Sequence, residues 1–236
     1  MTDAVDPGPR PLRHASPPLG VVAATHMALF LAGLYPVTAF GGHPYFPGPW
    51  ESPDAILAFF RSRPDAVRLC AVLQFGAAIP LGIFSASVAS RLRFLGAQAA
   101  GTSIAALGGF ITATTMLTAS AVLWTMTQPG VAEGRPVVQA LYWLTQAFGG
   151  SGFSVPFGLL VAGVSIPAAR LRLLPRWLVF FGIALALCGE LSWLNLITPR
   201  FLPLVPLTRF PGFVWMVAVG LALPTTREGS RRREAR

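Results

Sequence analysis

Long apolar runs separated by short polar punctuation set the pattern of this chain, and the gaps between charged residues locate the runs. A bilayer hydrocarbon core of about 30 Å needs about 20 apolar residues in helical form. No Arg, Asp or Glu lies between Arg13 and Glu51, and the apolar part of that gap predicts a first helix over residues 19–40. The gaps Arg68 to Arg91, Arg93 to Glu133 and Arg135 to Arg170 predict helices over 67–90, 97–126 and 137–168. Two more follow, over 177–197, interrupted only by Glu190, and over 207–223, stopped by Pro224. These runs exceed the length of a barrel strand and lack its two-residue alternation. The predicted fold is all-α: a single polytopic membrane bundle of six transmembrane helices.

Between the first two helices the pattern changes. A turn-rich stretch, Gly41 to Trp50, leads to Ser52-Pro53-Asp54, a helix-start signature, and then to Ile56, Leu57, Phe59 and Phe60. This predicts a short amphipathic helix on the outer leaflet, with Tyr45 and Trp50 at headgroup depth. Residues 1–18, rich in Pro and mixed charge, read as a disordered cytoplasmic leader, and residues 224–236 as an Arg-rich cytoplasmic tail. A competing reading takes Val37-Thr38-Ala39 as a signal-peptide cleavage site, but the preceding apolar run is longer than such a signal requires.

Composition narrows the class. Of 236 residues, 53% are hydrophobic and 11% charged, with mean hydropathy +0.60, which excludes an ordinary soluble enzyme and a disordered chain. The net charge of +9 comes entirely from Arg, since Lys is absent. In a soluble protein such basicity would suggest nucleic acid. Here the arginines sort by side: twelve fall in the leader, the loops joining helices 2–3 and 4–5, and the tail, against six on the other side. The positive-inside rule then predicts that both termini are cytoplasmic, in a bacterial inner membrane, with no nucleic-acid partner. The tail run Arg231-Arg232-Arg233 reads as attraction to anionic lipid. Cys70 and Cys188 lie inside apolar runs and behave as small hydrophobes.

Polar side chains inside the predicted spans are the candidate chemistry. Glu190 is the clear ionisable one, and by depth Gln74, Gln146 and Asn195 converge with it in the outer half of the bundle. One reading is a polar cavity in which Glu190 binds a polar or cationic small molecule or exchanges a proton. The other is interhelical hydrogen bonding, worth about 0.6 kcal/mol per contact. His26 in helix 1 is either a proton relay or a packed neutral ring. With only His14 and His43 besides, no bis-His haem or His-rich zinc site can be assembled, so no cofactor is expected. Gly149-Gly150-Ser151-Gly152 matches the nucleophile pattern of rhomboid proteases, but helix 6 lacks their His base, and the glycines are better read as a kink before Pro156. Gly101, Ala105, Gly109 and Ala113 form a small-residue stripe, for packing within the chain or for a homo-oligomer or another membrane protein.

The run from Pro53 to Leu69 with Arg63-Pro64, the Leu174-Pro175-Arg176-Trp177-Leu178 loop, and Pro211-Gly212-Phe213-Val214-Trp215 with Gly220 together resemble a bacterial six-helix membrane family of unknown function. The likeness covers roughly residues 20–223. It implies a six-span inner-membrane bundle and carries over no catalytic residue or cofactor. Two functional readings follow: first, a non-enzymatic accessory, sensory or structural bundle; second, a binder or transporter of a small molecule using the Glu190 pocket. No set of nucleophile, base and metal ligands points to an enzyme.

Overall fold

The computed structural model describes residues 13–98 and 100–227. Among these residues eight α-helices succeed one another: α1 (Leu19–Leu34), α2 (Pro53–Ser62), α3 (Pro64–Phe94), α4 (Ala100–Thr125), α5 (Arg135–Gly149), α6 (Ser151–Arg170), α7 (Arg176–Leu191) and α8 (Leu204–Ala222). Among the described residues there is no strand, only an isolated bridge between Arg13 and Thr226. With the turns that extend them, these helices form six segments long and apolar enough to cross a membrane, α5 and α6 together making the fourth.

The six segments close into a ring. Helix α1 packs on α3, α3 on α4, α4 on α6, α6 on α7, α7 on α8, and α8 returns to α1. Phe84, Leu160, Phe157, Phe213 and Trp215 are buried inside it. The tightest seam is α4 on α6: a Cβ at Gly163 would lie 2.5 Å from the Ala105 nitrogen, and one at Gly108 2.5 Å from the Pro156 oxygen. Backbones this close need small residues. The stripe divides between two neighbours, with Gly101 and Ala105 against α6, and Gly109 and Ala113 against Ser85 and Gly82 of α3. Its surface is taken up inside the chain.

Several expected continuous helices are interrupted, each for a local reason. Helix α1 ends at Leu34 and not near Phe40, because Pro36 supplies no amide hydrogen and the chain goes on in two 3-10 turns. The fourth segment breaks at Gly150, whose φ of −88° and ψ of −107° leave the helical region. Helix α7 unwinds after Leu191 into a 3-10 turn over Ser192–Leu196, where side chains engage the last carbonyls. The Ser192 hydroxyl donates to the Gly189 oxygen (2.6 Å), and Asn195 donates to the Ser192 oxygen (2.7 Å).

Helix α2 forms where Ser52-Pro53-Asp54 predicts it, with the Ala55 amide donating to the Ser52 hydroxyl oxygen (3.2 Å). Its apolar face is not laid on a leaflet, as the sequence suggested. Ile56, Phe59 and Phe60 are 3%, 1% and 2% exposed, and they pack with Val67, Leu123, Met126, Val138 and Tyr142 at the ends of α3, α4 and α5. The helix caps the bundle because its aromatics find protein partners there. Arg63 fastens the preceding loop by donating to the oxygens of Pro36 (2.9 Å), Gly41 (2.9 Å) and Pro44 (3.3 Å).

The other end of the bundle carries the first and last described residues, with Arg13 bridged to Thr226. Of the expected leader, residues 1–12 lie outside the described residues, as do residues 228–236 of the tail, including Arg231, Arg232 and Arg233. Residues 13–18 are not loose. The His14 amide donates to the Thr225 oxygen (2.9 Å), and Arg91, 3% exposed, donates to the Ser16 hydroxyl (2.6 Å) and the Pro17 oxygen (3.3 Å). A buried guanidinium needs acceptors, and this segment supplies them.

Candidate functional site

The break at Gly150 creates the site. A helix end leaves carbonyls without intrahelical partners, and the freed Gly149 oxygen at the C-terminus of α5 accepts a hydrogen bond from Arg209 of α8. A cation suits that end of a helix dipole. Arg209 enters between aromatic rings: its guanidinium lies 4.5 Å from the Phe153 ring centre and 5.5 Å from that of Phe30. Ring faces attract a cation but accept no strong hydrogen bond. The Nε of Arg209 is buried and has no partner, and among the described residues Gly149 offers the sole acceptor to this side chain.

Among the described residues no carboxylate pairs with it. The two ion pairs among the described residues are Arg68 with Asp65 (3.6 Å) and Arg135 with Asp54 (3.2 Å). Arg61 is held by the oxygens of Ala132 and Glu133, both at 2.9 Å. Arg209, like the buried Arg91, has no counter-ion among the described residues, and it differs from Arg91 in having a single protein acceptor.

Arg209 borders a cavity of about 400 Å³ at the end away from the first and last described residues, roofed by Pro49 and Trp50 and walled by Trp143, Leu196, Leu202 and Val205. That volume lies in the range of small-molecule sites, about 300–1,000 Å³. Gln146 and Asn195 bring carboxamides to the same wall. Each is oriented by neighbours. The Gln146 amide donates to the Tyr142 hydroxyl (2.8 Å), which donates to the Pro47 oxygen (2.9 Å). The Asn195 amide donates to the Ser151 hydroxyl (2.6 Å) as well as to Ser192. The lining thus combines one guanidinium and two carboxamides with apolar and indole surface, and contains no carboxylate, imidazole, thiol or hydroxyl.

The four-residue pocket expected from depth alone is therefore divided. Gln146 and Asn195 meet at this cavity, whereas Glu190 and Gln74 are absent from its lining. Glu190 faces α6, its Oε1 buried without a partner where the missing side chain of Gly158 leaves room; a Cβ there would lie 3.1 Å away. Gln74 packs against Gly33 of α1. Equal depth did not mean a shared face, because α3 and α7 present these residues to different neighbours. His26 is buried too: its Nδ1 meets the Ala77 oxygen at 2.8 Å, so Nδ1 carries the proton, and its ring stands edge-on to Phe213 with centres 4.8 Å apart. Its Nε2 is buried and has no partner.

Arg209 is the residue that sequence reasoning missed, having been sorted with the loop arginines as a marker of sidedness. The usable signal is its isolation: no acid lies between Glu190 and Glu228, and Phe210 begins an uncharged run to Thr226. Among the described residues no group of three or more His, Cys, Asp or Glu is placed to hold a metal. The comparisons add no identity to this geometry, for no family model, curated protein or solved structure matches the chain.

Proposed function

We propose that the protein is a non-enzymatic multi-pass protein of a bacterial cytoplasmic membrane that binds a small molecule in the cavity beside Arg209, both termini lying on the cytoplasmic side. The observation that carries the binding reading is a half-buried guanidinium, its Nε without a partner, on the wall of a cavity of ligand size. Burying such a charge costs several kcal/mol unless something pairs with it. Binding rather than catalysis is favoured by a lining without nucleophile or general base. The arginine asymmetry supports the orientation, so the cavity opens toward the outer leaflet.

This reading replaces a cation site around Glu190 with a site of opposite sign, and it gives the bundle a ligand through which an accessory or sensory role can act. Trp50 and Trp143 on the wall provide the test. Brominated dodecanol, dodecanoate and dodecyltrimethylammonium are titrated into the protein in lipid nanodiscs, and indole quenching is followed. At least one probe should quench saturably, and Ala147→Phe, which fills the cavity, should remove the saturable part. Quenching that is non-saturable for all three, or unchanged by Ala147→Phe, would overturn the binding reading.

A further inference from the structure

The geometry points to an oxyanion as the group this cavity selects: a carboxylate or phosphate held by Arg209 and the carboxamide of Gln146, with an apolar body against Trp50, Trp143 and Leu202. This inference rests on the binding reading above and names its ligand chemistry.

Three observations converge on the sign of the charge. Arg209 has an unsatisfied buried Nε and, among the described residues, one protein acceptor. A guanidinium has five N–H donors and no acceptor, so it can be completed only by lone pairs. The cavity lining contains no acid that would compete with an incoming anion or favour a cation. The orientation of the carboxamides also matters. Gln146 directs one N–H to the Tyr142 hydroxyl and retains the other, whereas both N–H groups of Asn195 are taken by Ser151 and Ser192. Donors from two elements, α5 and α8, therefore border one cavity. A planar two-oxygen head suits an arginine fork best.

The body of the ligand follows from the rest of the wall. Apart from two indole N–H groups this surface is apolar, so it cannot satisfy the many polar groups of a hydroxylated or multiply charged molecule, and desolvating one there would cost more than it returned. A single anionic head on an apolar body is the chemistry that fits. It can come from a lipid or fatty acid reaching in from the bilayer, or from a small water-soluble carboxylate or phosphate entering beneath Trp50.

The test uses the same three brominated twelve-carbon probes in nanodiscs, at pH ~8 so that the acid is ionised. Dodecanoate should half-saturate at a concentration at least roughly tenfold below dodecanol, with dodecyltrimethylammonium weakest. Arg209→Gln should abolish the preference of acid over alcohol while leaving alcohol quenching in place. Equal affinity for acid and alcohol in the unmodified protein, or an acid preference that survives Arg209→Gln, would overturn the oxyanion assignment and leave the cavity as a general apolar site. Absence of saturable quenching by every probe would overturn both readings. Comparing probes on the unmodified protein keeps the test valid should Arg209→Gln fail to fold. Competition separates the sources: displacement of dodecanoate by acetate or inorganic phosphate assigns a soluble anion, and displacement only by unbrominated long-chain acid assigns an amphiphile from the bilayer.

Discussion

The bundle buries a guanidinium near each end, and the two are completed differently. At the end that carries the first and last described residues, Arg91 is covered by the chain itself, with Ser16 and Pro17 as acceptors and His14 fastened to Thr225 and set 3.1 Å from the Ser90 hydroxyl. At the opposite end, Arg209 meets one carbonyl, two phenyl faces and a cavity. Both retain an Nε without a partner. The difference is that a segment is laid over one and space is left beside the other. The space at Arg209 is what a ligand would fill.

That contrast can be broken or sharpened by substitution. The largest effect is expected from Phe59→Ala in the cap beside the cavity, since emptying a fully buried phenyl site costs about 3–5 kcal/mol. Hydrogen exchange should accelerate in α2 and the loop held by Arg63, while residues 13–18 keep their protection. Equal loosening at both ends would show that the two ends are one cooperative unit and not separately built.

Arg91→Ala comes next. It removes two hydrogen bonds from a charged donor, worth about 1.5–3 kcal/mol each at most, and should expose the chain before α1 to limited proteolysis without changing probe binding at the far end. Unaltered proteolysis would mean that the contacts of His14 suffice to hold the strap.

Arg209→Met should differ from Arg91→Ala in stability. Losing the Gly149 contact is offset by relief of an uncompensated charge, so the melting free energy of the ligand-free protein should stay within about 1 kcal/mol. Stabilisation by dodecanoate should disappear. Severe unfolding of the ligand-free variant would instead make Arg209 a structural keystone comparable to Arg91.

The smallest effect concerns pH. Burial, and then the neighbouring Arg91 charge, hold the His14 imidazole below its ordinary 6.5. The unfolded segment therefore takes up a proton more readily than the folded one, and the strap's stability falls as pH drops below about 6.5 toward the folded value. Exchange of the His14 amide, which is bonded to Thr225, should quicken over that interval in the native protein and not in His14→Gln.

The two ends also differ in how much of them the sequence disclosed. Six apolar segments, the Ser52-Pro53 start of α2 and the weakness at Gly149-Gly150 are legible because charge gaps, capping residues and glycine act locally. The burial of α2 and the docking of residues 13–18 are not, since both depend on which distant surfaces need covering. The site shows the same division. Depth along a helix can be counted from the sequence, and Gln146 and Asn195, expected at similar depth, line one cavity. Azimuth cannot be counted once a helix unwinds, as α7 does at Ser192, or faces an unknown neighbour, as α3 does at Gln74. Arg209 was hidden because an arginine near a helix end ordinarily reports sidedness, and its missing counter-ion becomes meaningful only when the guanidinium is known to be enclosed.

The most direct measurement is a high-resolution cryo-electron microscopy map of the protein extracted with its native lipids and read at the Arg209 cavity. The account predicts density within hydrogen-bond distance of the guanidinium, with a head that accepts from it and a body lying along Trp50 and Trp143. A cavity collapsed around an Arg209 whose nitrogens are all bonded to protein oxygens would contradict it.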